Sequence, residues 1–469
     1  MKPEDVNKPG QEKRSPSRRD FLRLIGVAGA ATAATPLLNA CAPPQAQPTT
    51  APQATEKVEV GMPLKGTRIK ALLNDLSYQT YIKDHISEFT ALTGIEADVE
   101  IVAFPVLLEQ GEIELSSGSS NYDVTIQIFI KAQRWMRAGW SAPLDDFIAQ
   151  SNFDIDDFLK ATVDSMNWEG KQYGIPFLAE STQMIYRDDI LTEKGLAIPT
   201  NFDELDAVLG AIHNPPDFHA YVMRTQPAGV HFPFPIWLQG FGGNIFRDPP
   251  NDLTPTLNTA EAVAATENFV NLINKYSIAG GQVYDTPDCQ NAIAQGLAGF
   301  WIDALGIFPP LLDPATSKVA DMLEIALVPG GPVAQVPQIA SHGYQIPAAA
   351  KNKEAAWEFI RWASSKEMLE RATLETAYSA IPRQSILTSP QYAEKYNTGK
   401  TKIGELIVDA INLSKAAYRQ VPEFPEVGQR LGNGLNEIIS GQKSIQEALD
   451  SVQKDAEQIM IAGGNQISP

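Results

Sequence analysis

From Thr67 onward, apolar positions alternate between strand and helix periods. Ile69-Lys70-Ala71-Leu72-Leu73 predicts a short buried strand. Tyr81, Ile82, His85, Ile86, Phe89 and Leu92 recur at helical spacing, and Gly94 supplies a C-terminal stop. Ile95, Ala97, Val99 and Ile101 alternate with charged residues, which predicts a strand with one wet face. Phe104-Pro105 reads as a loop, Val106 to Ser116 as a helix, Tyr122 to Ile130 as a strand and Ala132 to Ala138 as a helix. This alternation predicts an α/β fold with a parallel-rich sheet and helices on both faces. Ligands of such sheets sit beyond the carboxyl ends of the strands, and Asn74, Phe104 and Phe129 fall at or near those ends.

The stretch from Asn167 to Glu193 organises the rest of the chain. Glu169-Gly170 signals a tight turn. Lys171 to Phe177 runs extended, because Pro176 disfavours helix in the residue before it. Ser181 to Arg187 alternates polar and apolar and predicts a strand. Glu180 lies between the two extended pieces. A chain that passes extended between folded units, with a carboxylate at the crossing, predicts a hinge lined by a binding site.

Further on, Asn201 with Glu204 predicts a capping box. Thr259 to Tyr276 is an amphipathic helix, Leu297 to Asp303 a buried strand, and Ile325 to Pro329 another. His342 to Pro347 is a second extended crossing. Glu354 to Leu374 reads as one helix, Ala380 to Arg383 as a loop, and a last helix starts at Ser444, capped with Glu447.

Composition narrows the classes. A chain of 469 residues exceeds one ordinary core and predicts two or three units. The net charge is −19; residues 1–40 carry seven basic and four acidic side chains, so the remainder carries −22. Such a surface fits neither nucleic acid nor an anionic membrane face. Two cysteines, Cys41 and Cys289, exclude a disulfide framework. The five histidines have no metal-ligand spacing. Gly399-Lys400-Thr401 lacks the upstream glycine of a phosphate loop, and there is no Gly-x-Ser-x-Gly.

At the N-terminus, Ser17-Arg18-Arg19-Asp20-Phe21-Leu22-Arg23 resembles a twin-arginine export signal. A mild apolar run, Leu24 to Leu38, comes next and ends in Leu38-Asn39-Ala40-Cys41, which resembles a lipoprotein lipobox. The reading is a signal peptide over 1–40, a lipid on Cys41, and a Pro/Gln/Thr-rich tether over 41–65.

Four blocks carry a resemblance. They are Tyr122-Asp123-Val124 with Ala138-Gly139-Trp140 and Pro143-Leu144-Asp145; Gly174 to Ser181 with Tyr186-Arg187; Phe241-Gly242-Gly243 with Thr256-Leu257-Asn258; and Gly299 to Ala304 with Pro329 to Pro332 and Lys351 to Trp357. In this order the chain from about Thr67 to Ile459 resembles family 1 of the extracellular solute-binding proteins of bacterial ABC importers, the maltose-binding-protein-like group, and within it the sugar- and polyol-binding members. The resemblance implies a type II periplasmic-binding-protein fold with two α/β lobes joined by three crossing strands. It would place the crossings near Glu180, near His342–Tyr344 and near Val421–Pro425. One lobe would then be 66–180 plus 343–418, the other 181–342 plus 419–469. The implied function is capture of a carbohydrate between the lobes and its delivery to the transmembrane permease subunits. The implied protein is an exported, lipid-anchored monomer, without enzymatic activity, metal or cofactor. The chain departs from the family pattern at Ile128, Phe129 and Ile130 and at Ser341, His342 and Tyr344, which leaves the exact ligand open.

Carbohydrate presents apolar C–H faces and hydroxyl edges, so its site needs flat aromatics and charged or bidentate groups. Glu180 and Asp303 offer carboxylates and are both expected outside a core. Trp301 shares a strand face with Asp303 and would either stack on ligand or fill the core. Trp237 divides in the same way. Phe104, Phe129, Phe232 and Tyr344 are strand-end, loop or crossing aromatics. Arg383 either reaches a hydroxyl pair or is a solvated loop arginine, and Asn74 can both donate and accept. Two competing classes remain: a carbohydrate hydrolase using Glu180 and Asp303 as its pair, and a structural surface lipoprotein.

Overall fold

The computed structural model describes residues 62–278, 280–397, 399–415 and 417–468. Arg18, Arg19, Cys41 and most of the 41–65 tether lie outside them. Among the described residues, no helix is long and apolar enough to cross a membrane.

Strand β1 (Arg68–Asn74) buries Ile69 and everything from Ala71 to Asn74. It pairs in parallel with β2 (Glu96–Val102) on one edge and β3 (Val124–Ile128) on the other. Parallel neighbours need a crossover, and helix α1 (Phe104–Ser116) supplies it between β2 and β3. Helix α2 (Ala132–Arg137) follows β3. Strand β4 (Ile175–Arg187) is a single thirteen-residue strand made of both extended pieces around Glu180. Then come β5 (His219–Val222), β6 (Ala298–Ala304), β7 (Leu323–Leu327) and β8 (Ile339–Gln345). Helix α3 (Phe424–Ile439) and a last helix, Ile445–Ala462, close the chain.

The strands run β2-β1-β3-β8-β4-β6-β5 across one mixed sheet, with β7 also paired to β4. The expected parallel-rich sheet is corrected here. Only β1 with its neighbours and β5 with β6 are parallel; β4 and β8 are antiparallel to every partner. The first half of β4 pairs with β8, with Glu180 opposite Ala340. Its second half lies between β6 and β7, with Thr182 opposite Ala304. One strand therefore serves two sets of neighbours, and Glu180 sits where it changes from one to the other.

Two apolar clusters fill the interior. Leu72, Ile126, Phe177, Tyr344, Trp357 and Phe359 belong to the first, and Phe202, Trp237, Phe269, Leu431 and Leu449 to the second. Successive strand residues point to opposite faces. Ile185 and Trp301 accordingly join the first cluster, while Met184, Tyr186, Phe300 and Ile302 join the second.

Local differences from the sequence pattern have local causes. Phe104 is the first residue of α1 rather than a loop residue, because Pro105 is tolerated in a first helical turn. The helix expected over Tyr81–Leu92 is broken at His85 into Ser77–Asp84 and Ile86–Thr93. The one expected over Glu354–Leu374 is two, because Ser365 caps the second by accepting from the Met368 N–H at 3.2 Å. Val421–Pro425 forms no strand; it is a turn running into α3, with Pro425 in the first turn.

Candidate functional site

The strand ends converge on one cleft of about 410 Å³. Asn74 closes β1, and Phe129 follows β3. Arg224 follows β5, and Ala304 ends β6. Glu180 and Ala340, cross-strand partners in β4 and β8, lie between the two sets. All six border the cleft. Its aromatic surface comes from Phe104, Phe129, Phe232, Tyr378 and Phe424.

Glu180 is half-buried and borders the cleft. Its Oε1 accepts from the Gly306 N–H at 3.0 Å. That approach needs glycine, since a Cβ at residue 306 would stand 2.3 Å from this oxygen. Burial, and after it the charge of Asp303, push the Glu180 carboxyl from its ordinary 4.5 up to about 7.

Behind Glu180, the Nε and Nη2 of Arg224 donate to Oδ2 and Oδ1 of Asp303 at 2.7 and 2.5 Å. The Ala304 N–H donates to the same Oδ1 at 2.7 Å. The pair forms because β5 and β6 are parallel neighbours ending together. Burial works against the Arg224 cation, and Asp303 outweighs it, holding the guanidinium above its usual value. Asp303 is fully buried and does not line the cleft; Arg224 does. The expectation that Asp303 stands outside a core is therefore corrected.

Arg419 also borders the cleft. Its guanidinium carbon lies 4.8 Å from the Phe129 ring centre and 4.9 Å from that of Phe232. Its Nε donates to Tyr418 Oη at 2.9 Å. His231 and His342 also border the cleft. Burial holds each imidazole down to about 4, helped at His231 by Arg419, so both are neutral at ordinary pH. His342 Nδ1 and Asn74 Oδ1 have no hydrogen-bond partner among the described residues.

Of the ten residues singled out in the sequence, five line the cleft: Asn74, Phe104, Phe129, Glu180 and Phe232. The other five do not. Trp237 stacks on Phe202 at 4.8 Å and donates to Asn268 Oδ1. Trp301 packs against Phe308 in the interior. Tyr344 is buried and donates to Gln79 Oε1 at 2.7 Å. Arg383, 2% exposed, is an interior tie rather than a solvated loop residue: it pairs with Asp157 at 2.9 Å and Asp154 at 3.3 Å over the Phe158 ring. Asp303 acts through Arg224. Sequence reasoning missed Arg224, His231, Tyr378 and Arg419, which are single residues in connecting segments with no motif around them. His342 was visible only as part of a crossing.

The carboxylates Glu180 and Asp303 do not flank a common space, because Arg224 holds Asp303 inside the protein. What the cleft offers is hydrogen bonding around an aromatic surface. Among the described residues, no group of His, Cys, Asp or Glu is placed to hold a metal ion.

Comparison with known proteins gives the family. The family profile described as bacterial extracellular solute-binding protein matches residues 74–370. An erythritol/L-threitol-binding protein of Mycolicibacterium smegmatis is 25% identical over 402 residues, covering 81% of this chain and 84% of that protein. The crystal structure of an ABC transporter solute-binding protein from Agrobacterium radiobacter in complex with ribitol superposes with a TM-score of 0.75 at 25% identity, over 85% of this chain and all of that one. One from Agrobacterium vitis with bound D-mannitol shares the fold at a TM-score of 0.73 and 23% identity, over 85% of this chain and 99% of that one.

Proposed function

Because the chain belongs to the bacterial extracellular solute-binding proteins, a family of binding proteins and not of enzymes, we propose that it captures a sugar alcohol or small sugar in the cleft at Glu180 and hands it to the membrane subunits of an ABC importer. The observation that carries the ligand class is the pairing of a carboxylate on the cleft floor with aromatic faces on its walls. Glu180 accepts hydroxyl hydrogen bonds, and Phe104, Phe129 and Phe232 cover C–H faces. A cleft of about 410 Å³ is of small-molecule size. The erythritol/L-threitol-binding relative and the ribitol complex support the same class.

In this reading the lobes are 66–180 plus 343–418 and 181–342 plus 419–469. Strands β4 and β8 pass between them at the cleft. Export by the twin-arginine route through Arg18 and Arg19, and a lipid on Cys41, keep the monomer at the outer face of the membrane. No cofactor takes part. The test of the ligand class is a thermal-shift screen with erythritol, ribitol, mannitol and maltose, followed by calorimetry on the best. A ligand bound only by the folded chain raises the melting temperature; no shift with any of them would overturn the reading. For the anchor, Cys41→Ser should move the protein from the membrane pellet to the soluble fraction. Retention in the pellet would rule a lipid anchor out.

A further inference from the structure

Among the described residues, one buried cation at the cleft has no ionic partner. Arg383, in the interior, and Arg419, at the cleft, are the buried arginines among the described residues, 2% and 9% exposed. Arg383 is neutralised by Asp157 and Asp154, and the less buried Arg224 by Asp303. Arg419 has no carboxylate within ion-pair distance among the described residues. Asp164, which lines a second pocket with Arg419, is paired with Lys160 at 2.6 Å, and Glu423, four residues along the chain, with Arg137 at 2.7 Å.

The guanidinium is held all the same. It lies against the rings of both Phe129 and Phe232, and Tyr418 Oη accepts from its Nε while donating to Gln338 Oε1. Its Nη1 is buried with no hydrogen-bond partner among the described residues. A dehydrated cation without a counter-charge is costly, and the cleft it borders is the space from which a counter-charge can arrive. Glu180 and the unpaired Asn74 Oδ1 border the same cleft without an ion-pair partner, so it has acceptors for hydroxyls as well as a cation.

We propose that the preferred ligand is a hydroxylated carboxylate, an aldonic or uronic acid, whose carboxylate pairs with Arg419 while its hydroxyls reach Glu180 and Asn74. The proposal rests on the carbohydrate-binding reading above and narrows it. The chain's net charge of −19 does not oppose it, since exposed charges beyond about 8 Å are largely screened at physiological salt, whereas Arg419 meets its ligand in a dry wall.

The experiment is calorimetry of the wild-type protein with two matched pairs, ribonate against ribitol and gluconate against glucitol, at neutral pH. At least one acid should bind ten times more tightly than its alcohol. Raising the salt should change that ratio little, because a pair in a dry wall is weakly screened. Arg419→Gln should bring the ratio to about one, and Arg419→Lys should keep part of it, with thermal melting as the check on folding. If Arg419→Gln does not fold, the wild-type ratio still decides. Alcohols that bind as tightly as their acids in both pairs overturn this proposal and leave carbohydrate binding standing. Binding of neither member of either pair overturns this proposal, and carbohydrate binding then stands or falls on the thermal-shift screen above.

Discussion

Glu180 carries its charge at a cost that depends on pH. Its carboxyl titrates near 7 in the empty folded chain against an ordinary 4.5. Between those values the folded chain holds a proton that the unfolded chain has lost. The contribution of Glu180 to stability therefore falls as pH rises from 4.5 to 7 and is unfavourable above that. Hydroxyl donors in the cleft favour the carboxylate instead, so ligand affinity should rise from about pH 6 to about pH 8 and then level off. Glu180→Gln should abolish that slope. It should weaken binding by about 1.5–3 kcal/mol, the worth of a hydrogen bond to a charged group, or roughly tenfold and more. It should also raise the melting temperature of the empty protein at about pH 8. Calorimetry and melting across this pH range read all three, and a wild-type affinity flat over it would refute the assignment. Gly306→Ala is the conservative companion: its new methyl displaces the Glu180 carboxylate and should cost affinity with little change in the fold. This residue was legible because a lone carboxylate interrupted an extended apolar stretch. Arg224 and Arg419 were not, because an isolated arginine in a loop looks the same whether it faces water, a core or a ligand.

At the scale of elements, strand ends decide what meets. Asn74 and Phe129 were readable because the ends of β1 and β3 could be marked from alternation alone. Trp301 and Asp303 were correctly put on one face of β6. That the face points inward depends on β5, a four-residue strand with no periodic signal, lying beside β6 and bringing Arg224 to Asp303. Trp237, Tyr344 and Arg383 went inward for the same reason: an aromatic or an arginine near a strand end is placed by the partner it packs on, which the local pattern does not name. The Arg224–Asp303 pair carries its own prediction. Asp303→Ala leaves the Arg224 cation buried without a counter-charge and should destabilise the fold by about 3–5 kcal/mol. Replacing both by leucine should recover most of that loss. Denaturant unfolding of the three proteins checks it; wild-type stability in Asp303→Ala would show that the pair is not needed to hold the two strand ends.

For the whole molecule, the sequence conveyed the α/β alternation, the crossing at Glu180 and the resemblance that the comparisons bear out. It did not convey what holds the two sides of the cleft together when no ligand is between them. Arg134 and Arg137 lie three apart on α2 and so share a face. They pair with Glu426 and Glu423 at the start of α3, each at 2.7 Å. Helix α2 follows β3, whereas α3 packs in the second apolar cluster, so both ion pairs join the two sides without touching the cleft. Arg134 and Glu426 are each more than a third exposed, while Glu423 is nearly buried. Together the pairs should be worth about 1–2 kcal/mol. On the two-lobe reading proposed above the pairs break when the lobes part, so removing them shifts the population toward an open form and weakens binding by up to the same amount. Arg134→Ala with Arg137→Ala should therefore weaken affinity roughly five- to thirtyfold, mainly through faster dissociation. Small-angle scattering should show the wild type compacting on ligand addition and the empty double variant as more extended than the empty wild type. Unchanged affinity in the double variant, or identical scattering with and without ligand, would mean that these ion pairs decorate a rigid body rather than latch a moving one.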